Sequence, residues 1–86
     1  MHSVELMEHA IAVAEQLGWR VRYENLGEVG GGACEIAGQK WIFIDLALPP
    51  LEQFGQVIQA LQSDAAIYTV NLPECLAEYF EVRRAA

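Results

Sequence analysis

The amino-acid sequence predicts an α+β domain, and three observations carry the prediction. Apolar residues recur at helical spacing near the start of the chain, through residues 49–63, and again beyond Pro73. Between the first two segments, residues 19–24 and 33–45 show period-two or continuous apolar character, as strands do. These strand-like runs follow one another with no helix between them, which favours α+β over a doubly wound parallel sheet. The expected order is α-β-β-β-α-(β)-α. It describes a small three-stranded antiparallel sheet, a β-hairpin plus one strand, packed with three helices. Eighty-six residues leave room for one core, so residues 1–86 are read as a single domain.

Residues 3–17 form the first expected helix. Ser3 suits the N-cap, and acids occupy the first turns, where they complement the helix dipole. Val4, Met7, Ile11 and Ala14 make its apolar stripe, widened by Leu6, Ala10, Val13 and Leu17, and Gly18 suits the left-handed position past its end. In WRVRYE, residues 19–24, Trp19, Val21 and Tyr23 face one way and Arg20, Arg22 and Glu24 the other, a half-buried strand. Residues 25–32 read as a loop. ACEIA and KWIFID then form a hairpin about Gly38-Gln39, where glycine at the first central position suits a type II′ turn. That register pairs Ile36 with Trp41 and Cys34 with Phe43. It puts Cys34, Ile36, Trp41 and Phe43 on one face and Ala33, Ile42 and Ile44 on the other. Both faces are apolar, so the hairpin is either covered on both sides or exposes an aromatic patch.

PPLEQFGQVIQALQS opens the second helix, with Pro50 in its first turn and Leu51, Phe54, Val57, Ile58 and Leu61 as the expected buried stripe. A short extended segment is expected at Ile67 to Val70. A final helix capped by Asn71 or Leu72 opens with Pro73 and turns Leu76, Tyr79 and Phe80 inward.

Composition restricts the function classes. The chain is 53% hydrophobic and only 20% charged, so it either packs efficiently or leaves apolar surface for a partner. Twelve acids against five bases give a net charge of −7, and the bases are scattered: Arg20 and Arg22 on one strand face, Lys40 in a turn, Arg83 and Arg84 as a C-terminal complement to the dipole of the last helix. Nucleic acid and anionic membranes, which need a basic footprint, are disfavoured. The first helix carries Glu5, Glu8 and Glu15 within its apolar pattern, unlike a secretory signal, and no run is long enough to span a bilayer. Cys34 and Cys75 lack metal-binding or framework spacing and read as small buried hydrophobes, which makes a reducing cytoplasmic location the expectation.

Candidate chemistry is sparse. Phosphate loops set backbone N–H groups at a helix N-terminus, usually with a lysine, whereas Gly27, Gly30, Gly31 and Gly32 precede a strand and lie beside Glu28. These glycines are expected to supply positive φ, a bulge or close backbone approach. His2, Glu5 and His9 share a helical face but lack a fourth ligand and supporting shell, so no metal site is assigned. No nucleophile–base pair stands out, since Cys34 has no histidine partner and Ser3 and Ser63 occupy helix ends. Asp45, ending an apolar strand, is the acid of most interest and is expected to bond local N–H groups.

The succession of helix, glycine-preceded hairpin ending in IFID, and proline-opened helix resembles the ImmA/IrrE-type zinc metallopeptidases over roughly residues 30–62. Aligning Phe54 with the family's helix-opening phenylalanine puts Ile58, Gln59, Ala60, Leu61 and Gln62 where the family carries HExxH, so every catalytic position is replaced. The resemblance implies a shortened scaffold without its metal. Gly32, Cys34, Gly38 and Asp45 also give a G-x-C-x3-G-x6-D stretch similar to that of small uncharacterised bacterial proteins.

The resulting expectation is a non-catalytic cytoplasmic module acting through protein contacts, most simply as a homodimer, with Cys34, Ile36, Trp41 and Phe43 as the interface and no cofactor. The alternative is a small-molecule binder or minor enzyme with a pocket near Asp45 and Cys34. The two differ in the surface they require: a flat aromatic patch, or a concave pocket with converging polar groups.

Overall fold

In the computed structural model, residues 3–27 and 31–80 are described. Helix α1 spans Ser3–Gln16, strand β1 Arg20–Glu24, β2 Gly32–Ile36, β3 Gln39–Asp45 and helix α2 Pro50–Gln62. A 3₁₀-helix at Ala65–Thr69 follows, then the short helix α3 at Glu74–Ala77, which continues as a 3₁₀ turn through Phe80. The α+β class, the three-stranded sheet and the three helices agree with the reading of the sequence.

Strand order is β1-β3-β2, so the last strand in the chain takes the centre. The β2–β3 hairpin is antiparallel, while β1 pairs with β3 in parallel, from Arg20 with Trp41 to Glu24 with Asp45. The sheet is therefore mixed. Two chain reversals lie between β1 and β3, which restores the direction of β1 by the time β3 is laid down. The choice of centre follows composition: β3 carries Trp41, Ile42, Phe43 and Ile44, while β2 is small and sparse in sequence, GACEI.

The hairpin turn is Ala37-Gly38, not Gly38-Gln39. Both central residues have positive φ, 51° and 81°, the signature of a type I′ turn, and Ile36 pairs with Gln39. Alanine rarely adopts this conformation, so nothing in its identity announces the turn. Gln39 is instead drawn into the strand, where its side-chain amide donates to the Gly18 carbonyl at 2.8 Å. The corrected register sets Cys34 opposite Trp41 and Gly32 opposite Phe43. It moves the pairing by an even number of residues, so face membership survives: Cys34, Ile36, Trp41 and Phe43 still share one side.

Helices α1 and α2 pack on the opposite side and on each other. Their apolar stripes, with Ala10, Val13, Ala14, Phe54, Val57 and Leu61, close over Ile42 and Ile44, both fully buried. Each isoleucine withdraws enough apolar area to contribute about 2–3 kcal/mol. Trp19, Ile67, Leu76 and Phe80 seal the ends of this core.

Four expectations about single elements are corrected. Val4, placed in the apolar stripe of α1, is exposed. The N-cap of α3 is Pro73, not Asn71 or Leu72, and the helix begins at Glu74. Leu51, placed in the buried stripe of α2, is 67% exposed, because the first turn of the helix projects past the core and Phe54 is its first buried residue. Ile67 to Val70 is not an extended segment. Asp64 accepts the Ala66 N–H at 3.0 Å and Thr69 Oγ1 donates to the Ala66 carbonyl at 2.7 Å, which winds residues 65–69 into a 3₁₀-helix and leaves Ile67 buried.

Candidate functional site

Because both long helices lie on one side of the sheet, the other side carries no helix among the described residues. Its central feature is an aromatic pair on β3. Trp41 and Phe43, two positions apart and so on the same face, stack with centroids 5.8 Å apart and planes inclined by 15°. The parallel register with β1 brings Arg20 beside Trp41, and the guanidinium lies 5.7 Å from the indole centroid. Arg22 pairs instead with Glu24 at 2.9 Å, both side chains well exposed, an arrangement that contributes little to stability. On the other flank, Cys34 adjoins Trp41 and is exposed, and Ile36 is 49% exposed. The four residues singled out from sequence thus share one surface. Cys34 and Trp41 sit at its middle, with Ile36 and Phe43 at opposite ends.

The exposure of Cys34 corrects the expectation of a buried thiol. Cys75 is half-buried against the core, and both cysteines are free.

A polar cluster lies around the edge of the sheet toward the helices. A groove of about 330 Å³ is bounded by Trp19, Cys34, Glu35, Lys40, Ser63 and Asp64. Asp64 is its organising group. Its carboxylate accepts from Lys40 Nζ at 2.7 Å, from the Trp19 indole N–H at 3.0 Å and from the Ala66 amide at 3.0 Å. Lys40 Nζ also lies 5.0 Å from the Trp19 ring centroid. The Lys40 hydrogen bond, followed by that from Ala66, holds the Asp64 carboxyl below its ordinary pKa, outweighing the opposing effect of partial burial. The donors and acceptors of the cluster satisfy one another, so it works as a clamp that ties the end of α2 to the starts of β1 and β3. Sequence reading missed it. The one available signal was Asp64 placed to cap the turn that follows, and no pattern links it to residues 24 and 45 positions away.

Asp45 stands apart from this groove. It is buried, 6% exposed, and its Oδ1 accepts the Ala47 N–H at 2.9 Å while its own N–H donates to Gln56 Oε1 at 3.0 Å. These are the local bonds expected of a strand-terminal acid. Cys34 is level with Trp41, four positions before Asp45 and about 13 Å away along the strand. The two residues of the small-molecule reading therefore do not meet in one pocket.

The remaining candidates have structural settings of their own. Gly31 packs so closely that a β-carbon there would collide with the Phe43 carbonyl and lie 2.6 Å from Gln56 Nε2. This is the close backbone approach expected of the glycine run. Ile58 and Leu61, at positions where the resembled peptidases carry zinc ligands or their neighbours, are buried in the core, and Gln62 donates to the Tyr79 carbonyl at 2.9 Å. Glu5 and His9 are exposed on α1. His2, Glu28, Gly30, Arg83 and Arg84 lie outside the described residues. Among the described residues, no three His, Cys, Asp or Glu side chains gather as a metal site would require, and no helix is long and apolar enough to cross a membrane.

No protein family, curated protein or solved structure matches this chain.

Proposed function

We propose that this domain is a non-catalytic module that acts through protein contacts, and that its first partner is a second copy of itself related by a two-fold axis. The observation that carries the reading is the sheet face opposite the helices, where half-buried Trp41 and Phe43 and exposed Cys34 and Ile36 form an apolar surface that no helix covers among the described residues. Contiguous apolar surface of this kind marks interfaces more often than it occurs idly on a monomer. A two-fold axis is the simplest way to close such a contact.

Charge supports a second copy as the occupant. The chain is acidic overall, at −7, yet the hairpin from Gly32 to Ile44 carries one acid, Glu35, and one base, Lys40. Two copies approaching through their hairpins therefore meet little net repulsion. Catalysis is disfavoured because the polar groups that do converge, at Asp64, are consumed by one another. Two free thiols suit a reducing compartment, and the cytoplasm is the location we assign.

The test is the solution mass of the wild type beside that of Trp41→Glu. The expected result is a wild-type dimer and a variant with unchanged circular dichroism that sediments as a monomer, its new carboxylate solvated and beside Arg20. A wild type that stays monomeric at millimolar concentration refutes the proposal.

A further inference from the structure

We propose that the two copies join edge to edge, β2 against β2, with Cys34 on the two-fold axis and the two sheets continuing into one of six strands. The inference rests on the self-association proposed above but moves its seam from the open face to the β2 edge, with Cys34 and Ile36 in the contact and Trp41 and Phe43 one strand away.

A three-stranded sheet has two edges, β1 and β2. An edge of unpaired N–H and C=O groups invites another strand unless charge, proline or a covering element guards it. On β1, an antiparallel pairing centred on the strand would set Arg22 against Arg22 of the other copy. Strand β2 carries one charge, Glu35, and its residues from Ala33 to Ile36 are all exposed. Among the described residues it is the unguarded edge.

The hairpin decides which groups face outward. A two-residue turn closes on a hydrogen-bonded pair, here Ile36 with Gln39, and such pairs alternate along the ladder. Ile36, Cys34 and Gly32 therefore direct their backbone groups at β3, and Ala33 and Glu35 direct theirs away from the sheet. Outside helices and strands, no backbone bond among the described residues engages Ala33 or Glu35. A second β2 laid antiparallel with Cys34 opposite Cys34 puts Ala33 opposite Glu35, so all four outward-facing residues form hydrogen-bonded pairs. The cysteines become a non-hydrogen-bonded pair, with Cα atoms about 4.5 Å apart, a separation a disulfide tolerates.

The side chains fit the same register. On the open face, Ile36 of one copy lies opposite Gly32 of the other, whose missing side chain leaves a notch beside Phe43. On the helix side, Glu35 lies opposite Ala33, at the mouth of a groove of about 260 Å³ bounded by Ala33, Gln56, Gln59 and Ser63. Gln59 is exposed and Gln56 Nε2 faces this region, so the carboxylate meets amide donors and not the other Glu35.

Three measurements test the geometry on the intact chain. First, diamide, which takes up the two protons and two electrons released by a pair of thiols, is expected to cross-link the wild type and Cys75→Ser but not Cys34→Ser. Second, Ala33→Pro removes an N–H that β3 does not use. It is expected to keep its circular dichroism, weaken the dimer about thirtyfold through two lost hydrogen bonds, and slow Cys34 cross-linking to match. Third, substitutions at the exposed Gln59 are expected to shift the dimer constant in opposite directions, Gln59→Lys tightening and Gln59→Glu loosening it about threefold each. This arm still reads out if Ala33→Pro fails to fold. A dimer indifferent to Ala33→Pro and to both Gln59 variants, with Cys34 not cross-linked, overturns edge pairing while leaving self-association through the open face intact. A monomeric wild type overturns both.

Discussion

Lys40 and Asp64 meet at 2.7 Å across 24 positions of sequence, with the Trp19 indole donating to the same carboxylate oxygen. A lysine at the start of the central strand thereby reaches the residue that caps the 3₁₀-helix after α2. The pair is sheltered, the Asp64 side chain being 14% exposed, so it is screened less than a surface ion pair.

Replacing Asp64 by alanine removes three hydrogen bonds at once, one of them the cap of the 3₁₀-helix. The expected loss is about 1–3 kcal/mol in urea denaturation, larger than that of Lys40→Met, which leaves the carboxylate with its Trp19 and Ala66 donors.

The same carboxyl sets a pH dependence. Its folded pKa lies below the ordinary carboxylate value, chiefly through the Lys40 hydrogen bond. Its contribution to stability is therefore complete above the unfolded-state pKa, near 4, and is lost as pH falls through the lower folded value. The expected urea midpoint drops more steeply below about pH 4 in the wild type than in Asp64→Asn.

The I′ turn makes a prediction with two signs. Gly38→Val is expected to cost about 1–3 kcal/mol, because φ of 81° is closed to a β-branched side chain. Ala37→Asn, which creates the favoured Asn-Gly pair at φ of 51°, is expected to gain about 0.5–1 kcal/mol. Equal midpoints for the two variants in thermal or urea unfolding would place the turn elsewhere.

Gly31→Ala is expected to cost about 1–3 kcal/mol through collision with the Phe43 carbonyl. Gln56 would also be displaced, and with it the acceptor of the Asp45 N–H. Gly55→Ala, where a β-carbon meets open space on α2, serves as the control and is expected to be neutral or mildly stabilising.

Elemental analysis of the purified protein is expected to find well under about 0.1 zinc per chain, because closed sites need four converging ligands. Stoichiometric zinc would overturn this expectation.

Local periodicity made much of this fold readable. The inward positions Val13, Ala14, Phe54, Val57 and Leu61 follow from helical spacing, and Ile42 and Ile44 from alternation along β3. Alternation also assigned Cys34, Ile36, Trp41 and Phe43 to one face, an assignment that survived the error in the turn because parity was kept. Long-range choices were not readable. Whether β1 would join β2 or β3 depends on competing pairings, and that choice fixes the central strand and the contact between Arg20 and Trp41. The short run at Ile67 suits a strand as well as a 3₁₀-helix until Asp64 supplies the cap. Apolar patterning marked both sides of the hairpin as candidate core; only the packing of α1 and α2 on one of them distinguishes the buried side from the open one.

The central position of β3 also sets an order of events in time. Hairpin partners lie between 3 and 11 positions apart, from Ile36 with Gln39 to Gly32 with Phe43, whereas every β1–β3 pair spans 21. Closing the shorter loops costs less entropy, so the hairpin forms early and β1 docks onto a strand already in place. During synthesis β1 emerges first yet has no mate until Asp45 has followed it, and for that interval its backbone is bare on both edges. Substitutions in the turn, such as Gly38→Val, should therefore slow refolding, while Val21→Ala in β1 should leave refolding nearly unchanged and accelerate unfolding.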